Sequence, residues 1–460
     1  MKDKKVTILG AGISGLATAH WLEKDGYDVT ILEQNSEAGG AMQTKVVDDF
    51  LIDFGPNSGL ETTPKIREIV NEIGLANEMI YANEEGNIRY ILKNNKLLAL
   101  PTSPIKFLRT KLFSVQAKLR ILKEPFIGKS QDGYYQSIAE FVERRLGKEF
   151  LDNAIDPFVS GVFAGDPTKL SVKSAFPKLY RLEEVYGGLI KGMFKGAKER
   201  KRSNEESKQS AKMFSFKYGM QSFPKAIAKN IKGRIFYNCI IENIVKNNNK
   251  VIVELEQNGI KGKITSDALI STIPSHRLVK ISHMFDSELT KHLNEIYYPP
   301  VLVLFLGYEI KSITQKLDGF GFLIPSKENK KFLGAIWSST IFKNRAPKDK
   351  AAFTIFVGGA RNPEFKVSDV DEKITEVLKE FHEIMGIKTQ PILLQWKFWN
   401  KAIPQYNLGY VEHENYFDQF EKNNPGIFLS GNFRGGISVG DCIKSSYANF
   451  EKVKDYLDKI

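Results

Sequence analysis

With 460 residues, 42% hydrophobic and 26% charged, the chain has the make-up of a globular protein of two or three domains that bury sizeable cores. Two distant cysteines, Cys239 and Cys442, and six scattered histidines without ligand spacing exclude a disulfide framework and a structural zinc, so no metal is expected. The net charge of +12 favours anionic partners such as phosphates and carboxylates, but the basic residues follow no nucleic-acid-binding pattern, and no nucleic-acid partner is expected.

Met1-Lys-Asp-Lys-Lys runs straight into an apolar strand and lacks the apolar stretch and cleavage site of a signal peptide. The densest apolar run, Val301 to Leu306, is too short to span a bilayer. An intracellular, cytoplasmic protein is expected. Val6-Thr-Ile-Leu9 is a short β-rich run followed by Gly10-Ala11-Gly12-Ile13-Ser14-Gly15. Leu16, Ala19, Leu22 and Glu23 then recur at helical spacing until Gly26, and Asp28-Val-Thr-Ile-Leu-Glu33 reads as a second strand ending in an acid. Strand, glycine loop, helix, strand and acid in register make a dinucleotide-binding fingerprint, which a lone glycine loop would not. Gly10 allows the sharp turn, Gly12 lets backbone approach a pyrophosphate, and Gly15 lets helix and strand pack closely. The helix N-terminus offers unpaired N–H groups and partial positive charge to the phosphates. Glu33 can accept hydrogen bonds from ribose hydroxyls, and its charge disfavours the 2′-phosphate of NADP.

Six residues after Glu33 comes Gly39-Gly40, and then Asp53-Phe-Gly55-Pro56-Asn57-Ser58. Either segment alone is an ordinary turn. Together they give tight backbone able to lie along a long extended cofactor. In register with Glu33 they resemble the flavin amine oxidase superfamily, where both segments touch the isoalloxazine half of FAD. FAD is therefore the expected cofactor.

Leu108, Leu112, Val115, Leu119 and Leu122 predict one amphipathic helix within residues 105–127, decorated by Lys106, Arg109, Lys111, Lys118, Arg120 and Lys123. Such a helix is either a packed helix with a solvated face or a membrane-surface element. Residues 195–210 carry mixed charge and few apolar side chains and read as a solvated, mobile loop. Strands are predicted from Arg234 to Ile244, Lys250 to Glu254 and Ala268 to Pro274. Val301–Leu306, Gly319–Pro325, Phe332–Ser338 and Phe353–Val357 predict an antiparallel sheet. Ile427-Phe-Leu-Ser-Gly431-Asn432 is a strand leading into a second glycine loop, Phe433 to Asp441, and a helix. The N-terminus of that helix faces the phosphates or ribityl chain of the cofactor, or the helix simply packs on the first domain. The expected fold is α/β. A discontinuous Rossmann-like FAD-binding domain spans 1–85, 213–285 and 405–460, a helical, potentially membrane-contacting insert spans 86–212, and an α+β substrate domain spans 286–404.

Several further segments resemble the protoporphyrinogen/coproporphyrinogen oxidase family of flavoenzymes, in that family's order. They are Asp156-Pro-Phe-Val-Ser-Gly-Val-Phe-Ala-Gly165-Asp-Pro-Thr-Lys-Leu-Ser171, Glu183-Glu-Val-Tyr-Gly-Gly-Leu-Ile190 and Phe214 to Pro224. Gly319 to Pro325, Leu333 to Ser339, Val357 to Arg361, Ala402 to Tyr406 and Gly431 to Cys442 complete the series. Two positions depart from the family: Gln43 stands after the glycine doublet where many relatives carry a basic residue, and Tyr410 stands where relatives often have histidine.

The resemblance implies oxidation of a porphyrinogen to a porphyrin in haem synthesis. Six electrons leave in three flavin cycles with dioxygen as acceptor, and no catalytic side chain is required because the flavin carries the chemistry. It adds Ala11, Ile13 and Ser14 in the first loop, and Gln34, Ile241 and Trp399, to the cofactor site. At the far end it adds Gly431, Asn432, Ile437, Ser438 and Val439. It also implies that Arg89 binds a propionate, that Leu323, Ile336 and Phe356 sandwich the macrocycle, and that Gly165 offers backbone to the reacting centre. Without the resemblance, Arg89 reads as a solvated strand arginine and the three apolar residues as strand core. Protoporphyrinogen IX is preferred narrowly to coproporphyrinogen III. The rival functions are a flavin amine oxidase or carotenoid-type desaturase on the same scaffold, and a non-catalytic flavoprotein. Partners beyond substrate and dioxygen are an anionic membrane surface, with the oligomeric state left open, a homodimer included.

Overall fold

The computed structural model describes residues 3–203 and 211–460. Val6, Ile8, Leu9, Val29, Ile31 and Leu32 are all buried, and such continuous apolar runs suit parallel strands covered on both faces. They belong to a five-stranded parallel sheet in the order Arg234–Phe236, Asp28–Leu32, Lys5–Leu9, Ala268–Ser271, Ile427–Leu429. From the central strand Lys5–Leu9 the chain continues to one side, through Asp28–Leu32, and only later fills the other. Its C-terminal end is therefore the switch point at which open α/β sheets bind ligands.

The helices Ile13–Lys24 and Val439–Leu457 cover one face, and the Ser446 hydroxyl donates to the Ser14 carbonyl at 3.0 Å between them. A three-stranded antiparallel sheet, Cys239–Asn247, Lys250–Gln257 and Ile260–Ser266, packs on the other. The single strand expected from Arg234 to Ile244 is two. Asn238, in the left-handed region at φ 53°, turns the chain between the parallel strand and the antiparallel one.

A seven-stranded sheet forms the second layer, in the order Leu393–Trp399, Val301–Glu309, Lys350–Gly358, Gly334–Ile336, Gly321–Leu323, Arg89–Lys93, Lys96–Ala99. Its pairings are antiparallel except for Gly321–Leu323 with Arg89–Lys93. The boundary expected at residue 86 is thus corrected: residues 89–99 join this seven-stranded sheet rather than the helical insert. Asn94 and Asn95 both take positive φ (52° and 57°), which closes a tight hairpin and buries Ile91 and Leu92 in the sheet's cores.

The helical insert is tied by the fully buried Arg145, which pairs with Glu183 and, at 2.8 Å, with Glu124. Glu124 also accepts the backbone N–H groups of Leu189 and Ile190 at 2.7 and 3.1 Å. Full hydrogen bonding is what makes these buried charges tolerable. The one helix expected within 105–127 is two short ones, Pro104–Arg109 and Val115–Ile121. Thr110 is extended, Ser114 caps the second helix, and Leu112 and Phe113 at the break are buried. Burying those two side chains outweighs helix continuity, and Leu108, Val115, Leu119 and Leu122 are left exposed. The loop expected at 195–210 is corrected as far as residue 203, which ends the helix Leu189–Ser203; residues 204–210 lie outside the described residues. Among the described residues no helix is long and apolar enough to cross a membrane.

Asp53 ties these parts together. Its buried carboxylate accepts from the Thr44 hydroxyl at 2.6 Å, the Met220 N–H at 2.9 Å and the Arg345 guanidinium at 3.1 Å. Asp53→Asn would leave the buried Arg345 charge without its counter-ion, so urea denaturation should show a loss of about 3–5 kcal/mol. A loss below about 1 kcal/mol would contradict this role for the pair.

Candidate cofactor and substrate site

The helix Ile13–Lys24 starts at Gly12 with no side-chain cap and no acid in its first turn. Its leading N–H groups and the positive end of its dipole are therefore left for a ligand. A Cβ on Gly12 would meet nothing within 4 Å, whereas one on Gly15 would stand 2.0 Å from the Gly10 carbonyl oxygen and 2.7 Å from the Thr272 hydroxyl. Gly15 makes the packing close and Gly12 leaves room. Glu33 is buried and reaches back to this loop, Oε2 accepting the Ala11 N–H at 2.7 Å. Oε1 takes the backbone and side-chain N–H groups of Asn35 at 2.8 and 2.7 Å. A carboxylate has about four acceptor sites, so roughly one remains for a ribose hydroxyl beside Gln34. The N–H of Cys239 donates to the Glu33 carbonyl at 2.9 Å, which leads Ile241 onto the same wall.

The glycine doublet lies directly on the first loop. Gly39 donates its N–H to the Ala11 carbonyl at 3.0 Å, and a Cβ on Gly40 would come 3.3 Å from Gly12 Cα. Both glycines take positive φ (142° and 59°), which larger residues resist. A Cβ on Gly55 would meet the Ala41 carbonyl oxygen at 1.9 Å, so the turn carrying Pro56, Asn57 and Ser58 stacks on the doublet in turn. The Trp399 indole N–H donates to the Phe54 carbonyl at 2.9 Å and holds that turn from the seven-stranded sheet.

Two stacked tyrosines, 4.4 Å between ring centroids, fix the C-terminal loop. The Tyr406 hydroxyl donates to the Asn432 carbonyl at 2.7 Å and accepts the Gly436 N–H at 3.0 Å, and the Tyr410 hydroxyl donates to the Phe433 carbonyl at 2.6 Å. Burial pushes both phenols well above their ordinary pKa. Tyr410, given no role by its sequence position, is an anchor of this loop. The helix that follows is capped by its own Ser438 and carries Asp441 in its first turn. The sequence leaves phosphates or a ribityl chain open for this terminus, and its own cap and acid make it less receptive to an anion than the Gly12 terminus.

These segments line one continuous cavity of about 3610 Å³. That is several times the roughly 300–1,000 Å³ of a small-ligand pocket, enough for a dinucleotide and a second large ligand. Its far wall is one face of the seven-stranded sheet. Cross-strand pairing sets Ile91, Leu323, Gly334, Phe356, Val303 and Lys397 in one row. The adjacent row holds Arg89, Gly321, Ile336 and Thr354. Leu323 and Phe356 each face Gly334 across a strand, and Ile336 faces Gly321, so no side chain rises between these apolar plates. Arg89 stands exposed at one end, its guanidinium 5.5 Å over the Phe320 ring and in no ion pair among the described residues.

Gly165 is not on this wall. A Cβ there would meet Gln405 Oε1 at 2.6 Å and Leu170 Cδ1 at 2.9 Å, which places it behind the cavity. The helix Asp156–Phe163 ends at Ala164 in the left-handed region (φ 49°), and that turn carries the chain away before Gly165. Gly161 takes the wall position instead, where a Cβ would stand 2.2 Å from Leu323 Cδ2. Ala11, Gly15 and Gly431 also sit behind the lining and act through packing.

Sequence spacing missed Thr272, Ile273 and Pro274, which line the cavity beside the first loop with Arg277, Lys280 and Lys401. Burial, and then the charges of Lys401, Arg277 and Lys280, push His276 down to about 4, and its Nδ1 is buried without a hydrogen-bond partner. This positive corner welcomes an anionic group. Elsewhere, His292, Glu295 and His413 form the one candidate metal group among the described residues. The two histidine Nδ1 atoms are hydrogen-bonded at 2.9 Å, closer than the roughly 3.3 Å between two nitrogens on one tetrahedral zinc. The pair serves as a helix–helix contact.

The sequence pattern of the flavin containing amine oxidoreductases matches residues 13–448. The chain belongs to that family. It is 33% identical to protoporphyrinogen oxidase 2, chloroplastic/mitochondrial, of Arabidopsis thaliana, over 100% of this chain and 95% of that one. It is 27% identical to coproporphyrinogen III oxidase of Bacillus subtilis (strain 168), over 99% and 98%. The crystal structure of a candidate protoporphyrinogen oxidase from Exiguobacterium sp. 255-15 shares the fold at a TM-score of 0.79 and 20% identity, covering all of both chains. This member of the flavin containing amine oxidoreductases is an FAD-dependent oxidoreductase. The open helix terminus, the bare Gly12 and the stacked glycine turns fit that cofactor.

Because a Cβ at Gly12 meets open space, Gly12→Val should fold normally yet bind FAD at least about tenfold more weakly, read by quenching of flavin fluorescence. Gly15→Val should instead unfold the domain. Wild-type FAD affinity in Gly12→Val would contradict the site.

Proposed function

We propose that this flavoenzyme oxidises protoporphyrinogen IX to protoporphyrin IX in haem synthesis, with dioxygen as the acceptor. The carrying observation is the apolar sheet face ending in Arg89, which pairs with no acid among the described residues, set across one cavity from the dinucleotide segments. Held by Gly12, Glu33 and the Gly39-Gly40 turn, FAD would supply the hydride acceptor for three two-electron oxidations, with dioxygen reduced to hydrogen peroxide. Leu323, Ile336 and Phe356 stack on the macrocycle and exclude water. Arg89 takes a propionate through its fork of N–H donors. Pyrrole protons leave to water, so no general base is needed. The choice of substrate is supported by a narrow margin of identity, 28–33% to plant protoporphyrinogen oxidases against 27% to two bacterial coproporphyrinogen III oxidases.

Anaerobic mixing with each porphyrinogen in parallel tests the reading. Protoporphyrinogen IX should bleach the flavin faster, and Arg89→Ala should weaken its apparent binding by about 1.5–3 kcal/mol. Faster bleaching by coproporphyrinogen III would reassign the substrate. Bleaching by amines alone would make it an amine oxidase, and no bleaching by either class would make it a non-catalytic flavoprotein.

We infer further that the cavity mouth meets the cytoplasmic face of a membrane. Ile105, Leu108, Leu119, Leu122 and Phe126 are 64, 67, 58, 68 and 89% exposed. Phe107, Leu122, Met193 and Phe194 line the cavity beside them. An exposed apolar patch of this kind flanked by Arg109, Lys111 and Lys123 suits an anionic lipid surface. Lys118 and Arg120 are less free, being bonded to the carbonyls of Leu108, Thr110 and Arg144. The protein should sediment with phosphatidylglycerol vesicles, and the triple variant Leu119→Ser/Leu122→Ser/Phe126→Ser should stay in the supernatant with full FAD content. Wild-type protein that ignores the vesicles would contradict the contact.

A further inference from the structure

Gln43 follows the glycine doublet Gly39-Gly40. Its side chain is locked at both ends. Nε2 donates to the Gly40 carbonyl at 3.1 Å, and Oε1 accepts the Lys397 ammonium. Only this orientation of the amide satisfies both bonds, because a flipped amide would set its NH₂ against the ammonium.

Lys397 comes from the strand Leu393–Trp399 of the seven-stranded sheet, far from Gln43 in sequence. It lines the main cavity and stands cross-strand from Val303, in the row that carries Phe356 and Leu323. Its ammonium also lies 4.5 Å from the Trp399 ring centroid, a favourable cation–π distance. No carboxylate pairs with it among the described residues, and burial pulls it below the ordinary lysine range. Even partial burial of a cation with no acid beside it among the described residues is unfavourable. The position makes sense if something nearby gains negative charge.

We propose that Lys397, held by Gln43 beside the glycine doublet, acts as a fixed positive charge on the flavin lying along Gly39–Gln43. The inference rests on that placement of the flavin. Reduction adds electron density to the flavin ring, and a fixed cation in a partly dry cavity favours the reduced form and so raises the ring's potential. Lys397 also joins the row of apolar plates to the flavin segment through one side chain.

The test is the two-electron midpoint potential of the bound flavin, measured by dye-coupled reduction of the holoenzyme. Lys397→Met should reduce the preference for reduced over oxidised flavin about tenfold, a fall of roughly 30 mV for a two-electron couple. Lys397→Arg should remain near wild type. Adding Gln43→Lys to the Lys397→Met background should restore the potential, which a merely structural lysine would not allow. Lys397→Gln, closer in size and polarity, serves if the methionine variant folds poorly, with the same fall expected. Equal potentials in wild type and the neutral variants overturn the proposal, as does a fall that Gln43→Lys leaves unrepaired. A wild-type chain that holds no flavin sinks instead the reading on which the proposal stands.

Discussion

Backbone N–H groups at the start of the helix Ile13–Lys24 point out of the C-terminal edge of a parallel sheet with no side chain to cap them. Leaving such a donor unsatisfied costs about 1–3 kcal/mol, so the chain is built to receive an acceptor there. Everything around the loop respects that need. Gly12 withholds a side chain, Glu33 pins the loop from behind through the Ala11 N–H, and Gly39 and Gly40 lie against it. The C-terminal helix then packs on the first one and closes the layer.

The cavity divides into parts with different chemistry. The dinucleotide side is mostly backbone: glycine turns and helix ends whose positions are set by hydrogen bonds to carbonyls. The opposite side is a sheet face of apolar side chains separated by glycines. Arg89 at one end and Lys397 at the other are cations without an acidic partner among the described residues. That distribution suits a large, mostly apolar, anionic-edged substrate handed to a flavin, and it fits the resemblance to porphyrinogen oxidases along the whole chain.

Local signals were the legible ones. The glycine loop, its helix and Glu33 follow one another directly, so periodicity and turn chemistry could place them without knowledge of the fold. The apolar runs Val301–Leu306 and Phe353–Val357 were equally plain, and they form the middle of longer strands, Val301–Glu309 and Lys350–Gly358. What failed depended on distant packing. The break between Pro104–Arg109 and Val115–Ile121 exists because Leu112 and Phe113 find a core, which helical spacing does not reveal. Gly165 was displaced from the cavity by a left-handed Ala164, a conformation no preference of alanine announces. Lys397 acquires meaning only beside Gln43, and pairing across the two layers has no local signature.

The most direct test is a crystal structure of the chain with FAD bound. Continuous density should run from the Gly12 helix terminus along Gly39–Gln43 and Gly55–Ser58, with the isoalloxazine turned toward the Leu323–Phe356 face. Flavin bound elsewhere, or an isoalloxazine facing away from that wall, would contradict the central claim that the two ends of the sequence enclose one cofactor beside an apolar substrate cavity.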